Sequence, residues 1–165
     1  TPFDPQQAAH FRAAAQTIAV RMSRDGQGTT ERDDLEALLF ATADAEQAAA
    51  RLGLSTAKVT VLAAAQGRPA QGAAFGETPS DTLRLYLTTV HPRSLVIRHD
   101  RATYAVLPWP ASTDDTEART RSASIARDLW NRAALRERIV LAVSAAVAEP
   151  GRIPDARSHV DRITG

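Results

Sequence analysis

Apolar residues along this chain change period several times, and each change marks an element. Phe11, Ala15, Ile18 and Met22 recur at spacings of four, three and four, one narrow stripe on a helix from Asp4 to about Arg24. Asp4 can cap that helix, Pro5 suits its first position and Gln7 stands where a capping-box partner belongs. Packing on the chain's own core and a two-helix seam with a second copy both fit such a stripe. After a glycine-containing break at Asp25–Gly28, Thr30 and Asp33 open a helix with Leu35, Leu38, Leu39 and Thr42 on its stripe. Asp44 is expected to cap the next, Ala45 to Leu52, with Gly53 just past its end.

From there short apolar runs replace the helical stripe. Lys58–Ala65, KVTVLAAA, is rich in β-branched residues and predicts a buried strand. Gln66–Pro79, made mostly of Gly, Pro, Gln and Ala, is a long loop for a compact domain. Ser80 is placed to cap a helix running to Val90, with Leu83, Tyr86, Leu87 and Val90 on one face, and His91-Pro92 ends it. Ser94–Pro108, SLVIRHDRATYAVLP, then reads as a hairpin in which Leu95–Ile97 and Tyr104–Leu107 flank the polar centre Arg98–Arg101. Ser112 or Thr113 is expected to cap a long helix from Asp114 to about Trp130, with Ala118, Ile125 and Leu129 inward and Arg119, Arg121 and Arg127 outward. Asn131–Glu137 is a connector, Ile139–Val143 a strand and Ala148–Pro154 a turn-rich loop, and Asp155 begins a last helix. Trp109 and Trp130 are expected to be large packing groups.

The order from Lys58 is strand, helix, strand, strand, helix, strand. A helix can cross between parallel strands, whereas a tight turn joins antiparallel ones. This is the split βαβ, ferredoxin-like pattern of an α+β fold. The expected organisation is an N-terminal helical extension over residues 1–54 and an α/β domain over residues 55–165.

Composition narrows the function classes. The 165 residues allow one domain with a sizeable core. A net charge of +1 gives no global argument for nucleic-acid or membrane affinity. Lys58 is the only lysine, and with the Ala excess this points to the coding bias of a GC-rich bacterium. Without cysteine there is no disulfide, thiol chemistry or Cys-based zinc site. No run approaches the roughly 20 apolar residues of a membrane span, and no signal peptide is visible. The abrupt ends, Thr1 and Gly165, suggest a segment of a longer cytoplasmic protein.

Candidate chemistry concentrates at the hairpin centre. Arg98, His99 and Arg101 are the candidate anion-contacting residues, beside Asp100. His10, His91, His99 and His159 lie on different elements and form no i, i+4 metal-binding pair, so no metal is expected. There is no Gly-x-Ser-x-Gly elbow, and Gly72–Gly76 is not followed by the Gly-Lys-Ser/Thr of a P-loop. The arginines from Arg119 to Arg138 alternate with Glu117, Asp128 and Glu137, as on a solvated helix face.

Three phrases carry a family resemblance. Asp44–Ala65, DAEQAAARLGLSTAKVTVLAAA, resembles the entry to the central domain of PucR/CdaR-type bacterial transcriptional regulators. TYAVLP, Thr103–Pro108, resembles that domain's second hairpin strand, and Ile139–Ala146 with Ile153–Ile163 its closing strand and exit helix. The resemblance implies a GGDEF-like domain, a degenerate relative of the diguanylate cyclase fold, followed by a DNA-binding helix-turn-helix that would lie beyond Gly165. Aligning Tyr104 with the aromatic of the cyclase motif sets Asp100, Arg101, Ala102 and Thr103 where two glycines and two acids belong. A working cyclase needs those glycines for phosphate approach and the acids for Mg²⁺, and Val59–Ala65 supplies no acid either. The expectation is a non-catalytic regulatory and dimerisation domain without a cofactor, forming a homodimer and touching DNA only through a C-terminal domain beyond Gly165. A small-effector or nucleotide sensor using Arg98, His99 and Arg101 is the alternative, and an active cyclase rests on fold analogy alone.

Overall fold

In the computed structural model the described residues are 30–41, 43–66, 79–137 and 139–165. The expected helix Asp4–Arg24, the break Asp25–Gly28, Thr42 and most of the loop Gln66–Pro79 lie outside them. The elements are α1 (residues 30–40), α2 (Ala45–Arg51), β1 (Lys58–Gln66), α3 (Pro79–Val90), β2 (Leu95–His99), β3 (Ala102–Trp109), α4 (Asp115–Glu137), β4 (Ile139–Val143) and α5 (Ile153–Thr164). A short 3₁₀ turn, Pro150–Arg152, leads into α5. The chain divides into two compact units, Thr1–Asp33 and Asp34–Gly165, and the sheet belongs to the second.

The four strands form one antiparallel sheet in the order β2-β3-β1-β4. With α3 crossing from β1 to β2 and α4 from β3 to β4, this is the split βαβ, ferredoxin-like arrangement of an α+β fold. Strand residues alternate between faces, yet β3 is buried from Thr103 through Trp109, because both faces are covered. On the first face, Leu62, Ala64, Ala105, Leu107 and Trp109 meet Leu83 and Leu87 of α3 and Ala118 and Leu129 of α4. On the second, Val59, Val61, Ala63, Ile97, Tyr104 and Val106 meet Leu35, Leu38 and Leu39 of α1, Ala48 and Ala49 of α2, and Ile153, Ala156 and Val160 of α5. Continuous apolar strands are the signature of a sheet with two covers. Residues from Asp34 onward therefore supply a layer of the fold.

Local chemistry sets the element ends. Gly53, at φ +72, closes α2: its N–H bonds the carbonyl of Ala50 and that of Leu54 bonds Ala49, a Schellman cap that buries Leu54. Asp44 stands at the N-cap of α2, but its side chain makes no capping bond. Asp114, rather than Ser112 or Thr113, caps α4 by accepting from the N–H of Thr116 at 3.0 Å. Lys58 secures the same helix start, donating to the carbonyl of Thr113 at 2.6 Å and pairing with Asp115 at 2.5 Å. The helix runs on through the expected connector to Glu137. Trp109 is a packing group as expected, whereas Trp130 is 49% exposed and Val90 43% exposed.

Beyond β4 the chain rejoins β1 through a bulge. Leu62 pairs with Val143 and Val59 with Val147, so three residues, Ser144–Ala146, oppose two, Thr60 and Val61. Ser144 repairs the interruption: its Oγ accepts from the N–H of Val61 at 2.9 Å and its own N–H bonds the carbonyl of Val61. No described helix is long and apolar enough to cross a membrane.

Candidate functional site

The hairpin turn is tighter than the sequence pattern suggests. His99 pairs with Ala102, so only Asp100 and Arg101 remain in the loop. Asp100 adopts φ +53, a left-handed conformation that favours glycine and that Asp tolerates better than most residues.

Strand alternation then separates the three candidate residues. Arg98 pairs with Thr103 and shares the first face, whereas His99, one residue on, belongs to the second with Tyr104 and Ile97. Arg98 and Arg101 are exposed, and neither is ion-paired among the described residues. His99 is half-buried and engaged. Its Nδ1 donates to Glu36 Oε1 of α1 at 3.2 Å, its Nε2 lies 3.6 Å from Asp100 Oδ2, and its ring stacks on Phe40 at 4.2 Å.

His99 opens a cluster that joins four elements, α1, β2, β3 and α5. The Phe40 ring meets Tyr104 edge-on at 5.7 Å and carries the Arg157 guanidinium of α5 at 4.6 Å. Asp161 accepts twice, from the Tyr104 hydroxyl at 2.6 Å and from Arg157 Nη1 at 2.5 Å. Burial first, then the bond and charge of Asp161, push the Tyr104 phenol up to about 12. That phenol stays protonated at neutral pH and serves as a donor.

The first face holds a second polar chain. The Trp109 indole N–H donates to Thr60 Oγ1 at 3.0 Å, and Ser122 Oγ donates to the carbonyl of Ala118 at 2.7 Å. The 2.6 Å bond between Thr60 and Ser122 therefore carries the Thr60 proton. His91 donates through Nε2 to the carbonyl of Pro108 at 2.8 Å, and its ring packs 4.5 Å from Trp109. Burial lowers the His91 pKa, the Pro108 bond opposes this, and Arg93 and Arg121 add to the lowering.

Neither cluster has the pattern of a nucleophile activated by a base. Both are internally satisfied except at Arg157 Nε, which is buried without a partner. Among the described residues no three histidine or acidic side chains form a potential metal site. Sequence reasoning identified the hairpin and missed Glu36, Phe40, Arg157 and Asp161, whose meeting depends on three distant segments. Ser122 was within reach, because Ala118, Ser122, Ile125 and Leu129 continue one stripe at spacings of four, three and four. A comparison with protein-family models and one with curated proteins each find no match.

Proposed function

We propose that this chain is a non-catalytic regulatory and dimerisation unit of the PucR/CdaR type, which relays a signal to a DNA-binding domain. One observation carries the reading. β1 and the hairpin lie side by side with Ala64 opposite Thr103 and Ala65 opposite Ala102, where a cyclase of this architecture sets its metal-binding acids. Small and neutral side chains there cannot hold the Mg²⁺ that phosphoryl chemistry on GTP requires. The phrases Asp44–Ala65 and Thr103–Pro108, and an exit helix after the closing strand, support the family assignment.

Two experiments test it. Sedimentation of the chain at high micromolar concentration is expected to give a dimer, and a strict monomer removes the dimerisation part. Incubation with GTP and Mg²⁺ is expected to give no cyclic product, and product formation overturns the non-catalytic reading. A second reading, a small anionic effector held by Arg98 and Arg101, is favoured by their exposed guanidinium groups, which no described acid pairs with. His99 contributes to it only if it leaves Glu36. A thermal shift with nucleotides or acidic metabolites that disappears in Arg98→Ala/Arg101→Ala supports this reading.

A further inference from the structure

The two edges of the sheet are treated differently. β2 is guarded: Arg84 of α3 reaches over its edge to the carbonyl of Val96 at 3.4 Å, and the strand ends in Arg98 and His99. β4, IVLAV, lacks the charged residues that guard β2. It carries no charge, proline or internal bulge, and no described strand pairs with its outer side.

The ladder determines which groups that outer side offers. On β1 the odd-numbered residues bond toward β4, as Val59 with Val147 and Val61 with Ser144 demonstrate. Ala63 pairs with Ala142 and Ala65 with Val140, so Val140 and Ala142 spend their backbone groups on β1. Antiparallel bonding alternates along a strand, and the N–H and C=O groups of Ile139, Leu141 and Val143 therefore point outward.

We propose that β4 is the dimerisation edge, pairing antiparallel with β4 of a second copy about a two-fold axis at Leu141. Self-complementarity points to a second copy as the occupant. With the axis at Leu141, Leu141 faces its own equivalent and Ile139 faces Val143, so every outward-facing residue exchanges both backbone bonds. An axis at Val140 or Ala142 still pairs two outward-facing residues but carries the third, Val143 or Ile139, past the end of the partner strand, so the Leu141 axis makes the most bonds. The uncharged strand meets its copy without like-charge repulsion. The exposed apolar groups of this region also fit. Val140, 44% exposed, faces Ala142 of the second copy across the seam. Asp128 and Arg132 of α4 face Tyr86 of α3, so Trp130 stands on the opposite flank of α4, the flank nearer the open edge, where it is 49% exposed. This edge rests on the dimerisation reading of the chain and names the surface that performs it.

Val140→Lys tests the edge. The side chain is half exposed and belongs to no described core cluster, so the variant is expected to keep the wild-type far-UV spectrum. Two ammonium groups would then stand near the axis on one face, and sedimentation should give a dimer constant weaker by about tenfold or more. Leu85→Lys, at a 73% exposed position on α3, is the control and should leave the dimer unchanged. Hydrogen exchange on the unaltered chain gives a second measurement that needs no variant. Raising the protein concentration should slow the Leu141 amide and leave those of Val140 and Ala142, already bonded to β1, unchanged. A wild-type dimer that survives Val140→Lys with Leu141 unprotected, or one broken by Leu85→Lys instead, overturns the edge and spares dimerisation. A wild-type monomer with Leu141 exchanging freely at all concentrations overturns both.

Discussion

The buried chain Trp109–Thr60–Ser122–Ala118 allows a test in which the cost of a substitution depends on which donor it orphans. Thr60 and Ser122 are fully buried and Trp109 nearly so. Thr60→Val keeps the side-chain shape, removes the acceptor of the indole N–H and leaves that donor unpaired. Ser122→Ala removes the acceptor of the Thr60 hydroxyl and leaves that proton unpaired. Each is expected to cost about 1–3 kcal/mol, the desolvation penalty of a buried orphan. For a chain of 165 residues a loss of 2 kcal/mol corresponds to a drop in Tm of roughly 4–8 °C. In the double variant the Thr60 proton no longer exists, so only the indole remains orphaned. Ser122→Ala in the Thr60→Val background should therefore cost only a few tenths of a kcal/mol beyond the single change. The coupling between the two sites is then about 1–2 kcal/mol. Urea denaturation followed by far-UV circular dichroism measures all four corners of the cycle, with a constant m-value as the check that the unfolding reaction is the same. Additivity within the roughly 0.3–0.5 kcal/mol expected of independent sites would falsify the donor chain.

The remaining predictions concern single groups. Ser144→Ala leaves the N–H of Val61 without its acceptor and should cost about 1–3 kcal/mol; a loss under 0.5 kcal/mol in a urea titration contradicts the repair of the bulge. Asp100→Gly relieves the left-handed backbone at φ +53 and should raise stability by up to about 1 kcal/mol, whereas Asp100→Val should lower it by about 1–2 kcal/mol. Equal melting temperatures for those two variants refute the strained turn. The His91 pKa lies below the model-peptide value of 6.5 in the folded chain, so the unfolded chain binds the proton more readily. Its contribution is fully present above pH 6.5 and is lost as pH falls through the depressed folded pKa. The urea midpoint of His91→Gln should accordingly fall less than that of the wild type between pH 7.5 and pH 5.5, and parallel pH profiles would count against the lowered pKa.

The range of each interaction sets how much of this was legible in the sequence. Element order, the hairpin, the buried character of β1 and the Gly53 cap are written in neighbouring residues, because side-chain period, turn chemistry and capping act within a few positions. From these the ferredoxin-like α+β order could be read in advance. Sheet register could not, and register decides the candidate site. One residue of alternation sends Arg98 to one face and His99 to the other, although they are adjacent in the chain and look like one cluster. The partners of His99 and Tyr104, Glu36 and Asp161, are 63 and 57 residues away, and no local pattern marks them. The second cover of the sheet, the donor chain through Ser122 and the contrast between the guarded β2 and the uncharged β4 arise only when the five helices close on the strands. The sequence by itself determined which elements exist and which of their positions are apolar, since those depend on local geometry. Tertiary structure alone decided which polar groups meet, because hydrogen bonds and ring contacts need a few ångströms of proximity that only the packed layers supply.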